Sequence, residues 1–217
     1  MFETITPAGP IYRLGRYPDP WAPPDWSNAQ PDGTFGNRFD DPTAYYRVLY
    51  ASSQRLSCFL ETLARFRPDL ALLAELQHIA GENDFFPLSQ VPKAWCKSRV
   101  LGTGMTSGNY ADLYAAQWVA HLRSVLAAEC LKLGLKDLDV AVLQQGQPRR
   151  LTQLASLEVY KRGLNGIYYR SRYGHDLENW ALFEPFELQT LGTAEPVRSD
   201  DADLMAACEI LGIVMEA

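Results

Sequence analysis

The 217-residue chain has only four cysteines, Cys58, Cys96, Cys130 and Cys208, and no two of them form a CxxC pair. Three sit in apolar, helix-like surroundings, so they are read as buried free thiols rather than a disulfide framework or a thiolate cluster. The histidines His78, His121 and His175 stand at no metal-binding spacing from one another or from the cysteines, which argues against a zinc site. No basic excess exists either. The formal net charge is −6, and Lys and Arg form neither a run nor a stripe. Proteins whose main ligand is a nucleic acid draw most of their affinity from phosphate neutralisation, so direct nucleic-acid binding is not expected. A local basic pocket for one small anion remains compatible with this balance. The N-terminus has neither a basic n-region nor an apolar h-region, and no apolar run reaches membrane-spanning length, which together point to the cytoplasm. Internal repeats and low-complexity tracts are also absent.

What is present is an ordinary globular composition, 47% hydrophobic and 21% charged. Such a chain can bury a sizeable core in one domain without metal or disulfides. Residues 11–16 predict a first strand. Residues 17–32 hold Pro18, Pro20, Pro23, Pro24 and Pro31, which exclude helix and central strand and predict a long functional loop with Trp21 and Trp26 as surface anchors. Residues 33–42 are turn chemistry. Residues 48–51 predict a buried strand. Ser52 or Ser53 is then placed to cap a helix running to about Ala64, with Leu56, Phe59, Leu60 and Leu63 at helical spacing. A second helix is expected over 68–79, stopped by Gly81, then strands and turns over 85–105. The longest helical pattern runs from Tyr110 to Leu133, ended by Gly134. Asp139–Leu143 reads as a strand, 147–163 as loop and helix, and Gly166–Ser171 and Trp180–Phe183 as strands. The tail, about 198–214, reads as an amphipathic helix with Leu204, Ala207, Ile210 and Leu211 on one side. Strands and helices intersperse without regular βα alternation, so the expected class is α+β.

Two motifs invite dinucleotide or phosphate chemistry. Gly102-Thr-Gly104-Met-Thr-Ser-Gly108 has the wrong spacing for a dinucleotide fingerprint and reads better as a turn before a helix at Tyr110. Arg149 and Arg150 open a helix, where they form a solvated face or, beside a phosphate, an anion site. Four polar residues adjoin apolar segments: Arg13, Arg38, Glu61 on or near the buried side of its helix, and Ser171. Each has an ordinary structural explanation, as an ion pair, a turn residue, a surface carboxylate or a strand-end hydroxyl. A buried Arg–Glu pair, however, is costly unless well bonded, and would favour a functional reason.

Ordered blocks then resemble a known family. Tyr12-Arg13-Leu14, Gly36-Asn-Arg38-Phe-Asp-Asp-Pro42, Tyr46-Arg-Val-Leu-Tyr50-Ala51 and Glu61-Thr-Leu-Ala64 resemble the N-terminal half of a RES domain. Gly166-Ile-Tyr-Tyr-Arg-Ser171-Arg-Tyr-Gly174 with Asn179-Trp-Ala-Leu-Phe183 is similar to its closing half. The resemblance spans about residues 11–185 of a single domain over 1–217. It implies a split, bent β-sheet surrounded by helices, similar to the ADP-ribosyltransferase fold. It implies an enzyme that consumes NAD+ by hydrolysis or phosphorolysis of the nicotinamide–ribose bond, with phosphate an open co-substrate and no cofactor or metal. It implies an Xre-like antitoxin partner, as in the family's toxin–antitoxin pairs. Position by position, the resemblance implies Glu61, Arg13 and Ser171 as catalytic residues. Arg13, Arg38, Tyr50 and Ser171 bind NAD+, with Thr152 or Ser156 as alternative sources of the hydroxyl. In that chemistry the carboxylate stabilises an oxocarbenium-like ribose, the arginines hold the pyrophosphate and the tyrosine stacks on nicotinamide. Transfer of ADP-ribose to a macromolecule, and a non-catalytic partner-binding role, stand as alternatives. The long 17–32 segment, the expanded 66–135 region and the C-terminal tail leave a stand-alone enzyme open beside the toxin. The apolar tail helix offers a homodimer surface.

Overall fold

The computed structural model describes residues 2–79 and 89–216. The expected stop at Gly81 and the stretch 85–88 lie outside the described residues. Among the described residues, ten strands and eight α-helices follow in chain order. The N-terminal part comprises β1 (Thr4–Ile5), β2 (Ile11–Arg16), β3 (Val48–Ser52), α1 (Arg55–Leu63) and α2 (Leu70–Ile79). The middle comprises β4 (Gln90–Val91), α3 (Lys93–Lys97), β5 (Arg99–Met105), β6 (Tyr110–Asp112), α4 (Ala116–Val125) and α5 (Ala127–Lys132). The rest comprises α6 (Val140–Gln145), α7 (Arg149–Tyr160), β7 (Gly166–Ser171), β8 (Gly174–Phe183), β9 (Gln189–Pro196), α8 (Ala202–Leu211) and β10 (Val214–Met215).

The main sheet has eight strands in the order β1-β6-β7-β8-β3-β2-β5-β9, mixed through the parallel β6–β7 pair. This is the expected α+β class with a split sheet. β3 pairs along its whole length with β8, and β2 along its whole length with β5. β2 and β3 themselves meet at one pair, Tyr12 opposite Ser52, so the sheet opens between them. Helices α4 to α7 cover one half, where Trp118, Leu122, Leu143, Leu151, Ala155 and Val159 are fully buried. Helices α1, α3 and α8 cover the other, around Phe59, Leu60 and Leu63. The opposite face packs Ile11, Leu49, Ala51, Tyr168, Trp180 and Leu182 under Trp21. Strand parity sends Tyr50 and Tyr169 away from that layer, which leaves their rings for the helix side.

Several sequence expectations change. Gly102 and Gly104 lie inside β5, not in a turn before a helix. A Cβ on Gly102 would come within 2.5 Å of the Trp21 indole nitrogen, and one on Gly104 within 3.2 Å of its ring. These glycines clear a bed for Trp21, which is buried and anchors the 17–32 segment onto β5, while Trp26 is more exposed. The segment 110–133 starts as strand, because Tyr110–Asp112 pairs with both β1 and β7, and becomes helical only at Ala116. Residues 139–143 are helical. Asp139 accepts the Val142 N–H at 2.9 Å, and Gly146 takes the left-handed stop at φ 67°. α1 begins at Arg55 behind Gln54, which makes no side-chain cap; Ser52 Oγ accepts the Gln54 N–H and Ser53 Oγ accepts from Trp180. Helix α3 and edge strand β9 carried no signal in the sequence. In α8, Leu204, Ala207 and Leu211 are buried against α1, while Ile210 points outward. The Leu204, Ala207 and Leu211 side of α8 is therefore taken up inside the chain, while Met205 and Ile210 stay exposed. No described helix is long and apolar enough to cross a membrane.

Candidate active site

The split in the sheet and the end of α1 enclose two adjoining depressions that share Tyr50, Glu61, Thr62 and Tyr169. The inner one, about 80 Å³, also takes in Arg13, Cys58 and Asn179. The outer one, about 320 Å³, reaches Arg38, Arg149 and Arg172, together with Gln144, Gln145 and Gln147. Its size falls in the range of small-molecule sites.

Glu61 stands where the depressions join. Its carboxylate is exposed to the cleft, not turned to the core as the helical pattern suggested: α1 buries Phe59, Leu60 and Leu63 on one side and presents Glu61 to the opening. Oε1 accepts from Ser171 Oγ at 2.7 Å and from Asn179 Nδ2 at 3.1 Å. Ser171 closes β7 and is fixed in turn by the Tyr173 N–H at 3.1 Å. Asn179 sits on β8 between β3 and β7, and its Oδ1 accepts from Ser57 Oγ at 2.9 Å. Among the described residues Oε2 has no bonded partner, so it is the oxygen left for a ligand.

Arg13 holds the split open on the other side. Its Nε donates to the Pro20 carbonyl at 2.6 Å and its Nη1 to the Tyr50 carbonyl at 2.7 Å, where the β2–β3 ladder has parted. It lines the inner depression with Glu61, but the two form no ion pair. Burial lowers the guanidinium to about 10, which leaves it charged at neutral pH. Arg38 is placed by the turn that Asp40 organises, accepting the Phe35 and Asn37 N–H groups. Its guanidinium lies over the Phe39 and Tyr169 rings at 4.8 and 5.0 Å. Nη2 donates to Tyr114 Oη and to the Leu143 carbonyl, whereas the buried Nε has no partner among the described residues. Gly146 lets it lie there, since a Cβ would come within 3.1 Å of Nε.

Tyr50 divides its roles. The hydroxyl accepts the Phe39 N–H at 2.9 Å, while the ring lines both depressions. Burial pushes both the Tyr50 and Tyr169 hydroxyls well above their usual range, so both stay protonated. Cys58 donates to the Tyr12 carbonyl, and burial raises its thiol to about 12, so it is not a nucleophile at neutral pH.

The structure thus brings Arg13, Arg38, Tyr50 and Glu61 to one cleft, whereas Ser171, expected to contact NAD+, is buried behind Glu61 and bonded to it without lining either depression. Thr152 and Ser156 lie elsewhere, bonded to the Arg149 and Phe39 carbonyls, and do not line it. Sequence reasoning missed Ser57, Tyr169, Arg172 and Asn179. Tyr169, Arg172 and Asn179 lie within quoted blocks, but only strand parity and long-range pairing bring them to Glu61. Arg149, weighed as a solvated face, lines the outer depression. Four arginines around one carboxylate, Arg13, Arg38, Arg149 and Arg172, make this cleft a local cationic site in an acidic chain. Among the described residues no group of three or more His, Cys, Asp or Glu side chains is arranged to hold a metal ion.

Comparison with known proteins gives a consistent assignment. A family profile described as RES domain matches residues 10–200. No curated protein matches the chain. Among solved structures, a chain of the crystal structure of the M. tuberculosis MbcT–MbcA toxin–antitoxin complex has a TM-score of 0.54 at 14% identity, with 96% of this chain and 92% of that one covered. At that identity the likeness concerns the fold.

Proposed function

The chain belongs to the RES domain family, and from that premise we propose that it consumes NAD+ by cleaving the nicotinamide–ribose bond, as the toxin of a toxin–antitoxin pair. The observation that carries the reading is the Glu61 carboxylate, tethered through Oε1 by Ser171 and Asn179, with Oε2 unbonded among the described residues, in a cleft lined by arginines and tyrosine rings. The fold shared with a chain of a toxin–antitoxin complex supports the pairing with an antitoxin.

The chemistry follows from charge. The ribose C1–nicotinamide nitrogen bond breaks heterolytically; the bonding electron pair leaves with nicotinamide and neutralises its ring nitrogen. Positive charge develops on the ribose, and Glu61 Oε2 stabilises it. Oxygen of water or of phosphate then bonds to C1; with water, the surplus proton passes to Glu61 or to solvent. Arg38, held by Tyr114 and the Leu143 carbonyl, and the exposed Arg149 and Arg172 supply the cations that a pyrophosphate requires. Tyr50 or Tyr169 offers a ring face to nicotinamide. Arg13 stabilises the opened strands and lends its charge to the inner depression.

The test is release of nicotinamide from NAD+ by the purified protein, with and without phosphate. Release only with phosphate identifies phosphorolysis, and release in both conditions hydrolysis. Glu61→Gln is expected to lower the rate by about 10²-fold or more while the protein stays folded. No release by the wild type in either condition overturns the reading. Labelled ADP-ribose appearing on a macromolecule would replace it with transferase activity. The antitoxin part is tested by co-expression with the neighbouring open reading frame, which should relieve a growth arrest that Glu61→Gln does not cause.

A further inference from the structure

We propose that Ser57 and Asn179 are positioning residues that aim Glu61, forming a buried relay from α1 through β8 back to α1. This inference rests on the proposed reaction. Ser57 is fully buried and Asn179 is 2% exposed. A core does not bury two uncharged polar side chains without partners. Here each finds one, and the chain of bonds ends on the carboxylate. Ser57 Oγ donates to Asn179 Oδ1 at 2.9 Å, and Asn179 Nδ2 donates to Glu61 Oε1 at 3.1 Å.

The amide orientation has one solution. Turned over, Asn179 would set its Oδ1 against the Glu61 carboxylate, two acceptors facing each other. The Ser57 hydroxyl, donating to Oδ1, holds the orientation that presents Nδ2. Ser57 and Glu61 lie four residues apart on α1, so they share one face of that helix, and Asn179 bridges them from the neighbouring strand. Ser171 alone would leave the carboxylate free to swing about its single bond to Oε1. Two donors on the same oxygen define its plane and leave Oε2 toward the cleft. A catalytic group misplaced by about 1 Å can cost on the order of 10²-fold in rate, which sets the scale of what the relay protects. Neither Ser57 nor Asn179 needs to touch NAD+.

Steady-state kinetics on Ser57→Ala, Asn179→Ala and the double variant test the idea, with melting temperature as the control for folding. The expected result is a fall in kcat on the order of 10- to 100-fold for Asn179→Ala, with KM for NAD+ changed by less than about threefold. Ser57→Ala removes a single oxygen and should fall in the same direction by less. Because both act through one chain of bonds, the double variant should be no slower than Asn179→Ala alone. Multiplicative losses, or losses confined to KM, would show two independent packing roles and overturn the relay, as would unchanged kcat in Asn179→Ala. A wild type that releases no nicotinamide overturns the proposed reaction itself, and the relay with it; an active wild type with unaffected variants overturns the relay alone.

Discussion

At the scale of single residues, the cleft is built from side chains that serve the scaffold with one end and the cavity with the other. Tyr50 is the clearest case. Its hydroxyl accepts the N–H of Phe39, a residue with no exposed surface, and its ring faces the cleft. Tyr50→Phe keeps the ring and strands the amide, which costs about 1–3 kcal/mol. The expected outcome is a lower melting temperature with nicotinamide release per folded molecule nearly unchanged, whereas Tyr50→Ala loses both. Equal loss of release in the two variants would place the hydroxyl, not the ring, in the chemistry. Gly102 shows the same economy of space in the opposite sense: Gly102→Ala drives a methyl to 2.5 Å from the Trp21 indole nitrogen. Overpacking of this kind costs about 1–3 kcal/mol, and combining it with Trp21→Ala should recover part of that loss in a thermal melt. Residue types explain what was legible at this scale and what was not. Arg13, Arg38, Glu61 and Ser171 stand out because charge or hydroxyl beside apolar segments needs a reason. Ser57 and Asn179 do not stand out: they lie 122 positions apart, and their meaning exists only once β8 lies beside α1.

Elements were legible where burial and periodicity agree. β2 and β7 fall within their expected bounds because their apolar runs are buried strands flanked by turn residues. Residues 139–143 misled because Val140 and Val142 are β-branched, yet the Asp139 cap and the Gly146 stop outweigh that preference. Residues 110–112 misled in the other direction, since pairing on both sides overrides a helical pattern. β9 was invisible because an exposed edge strand has no apolar alternation to show. The Pro-rich segment 17–32 was legible as irregular, and its fastening is electrostatic as well as apolar. Arg47 forms a two-pronged ion pair with Glu184, donates to the Pro24 carbonyl at 3.3 Å and lies over the Trp26 ring. The hydrogen bond from Arg47 lowers the Glu184 carboxyl below its ordinary value of 4.5. A carboxyl depressed in the folded state contributes stability in full above that ordinary value and loses it as pH falls through the folded one. Cleavage of the 17–32 segment by an acid protease should therefore accelerate below about pH 4.5 in the wild type. Glu184→Gln should be cleaved faster at higher pH and show little further rise on acidification. A segment equally resistant in both proteins would show that the Arg47–Glu184 pair does not fasten it, leaving that to Trp21 and to the Arg13 bond to the Pro20 carbonyl.

At the scale of the whole molecule, the question is whether the C-terminal helix is an appendage or part of the machinery. Its apolar face lies in the same cluster as the inner face of α1: Leu204 and Ala207 have no exposed surface, and neither do Phe59 and Leu63. Arg55 at the start of α1 ties the two helices, bonding Asp201 and Asp203 at the start of α8 and Glu195 on β9. Removing α8 would uncover the side of α1 opposite Glu61. The helix that aims the carboxylate would then have a sheet on one flank and water on the other. Stability and the proposed activity should accordingly fail together. Leu204→Ala is expected to cost about 2–5 kcal/mol, as for other large-to-small changes in a closed core, with a single thermal transition. A chain ended at Asp200 should lose its far-ultraviolet dichroism and its nicotinamide release at the same temperature. A shortened chain that melts as the wild type does but releases no nicotinamide would show α8 to be a positioning element for α1. One that keeps both properties would show that β2, β3 and β8 suffice to hold Glu61 in place.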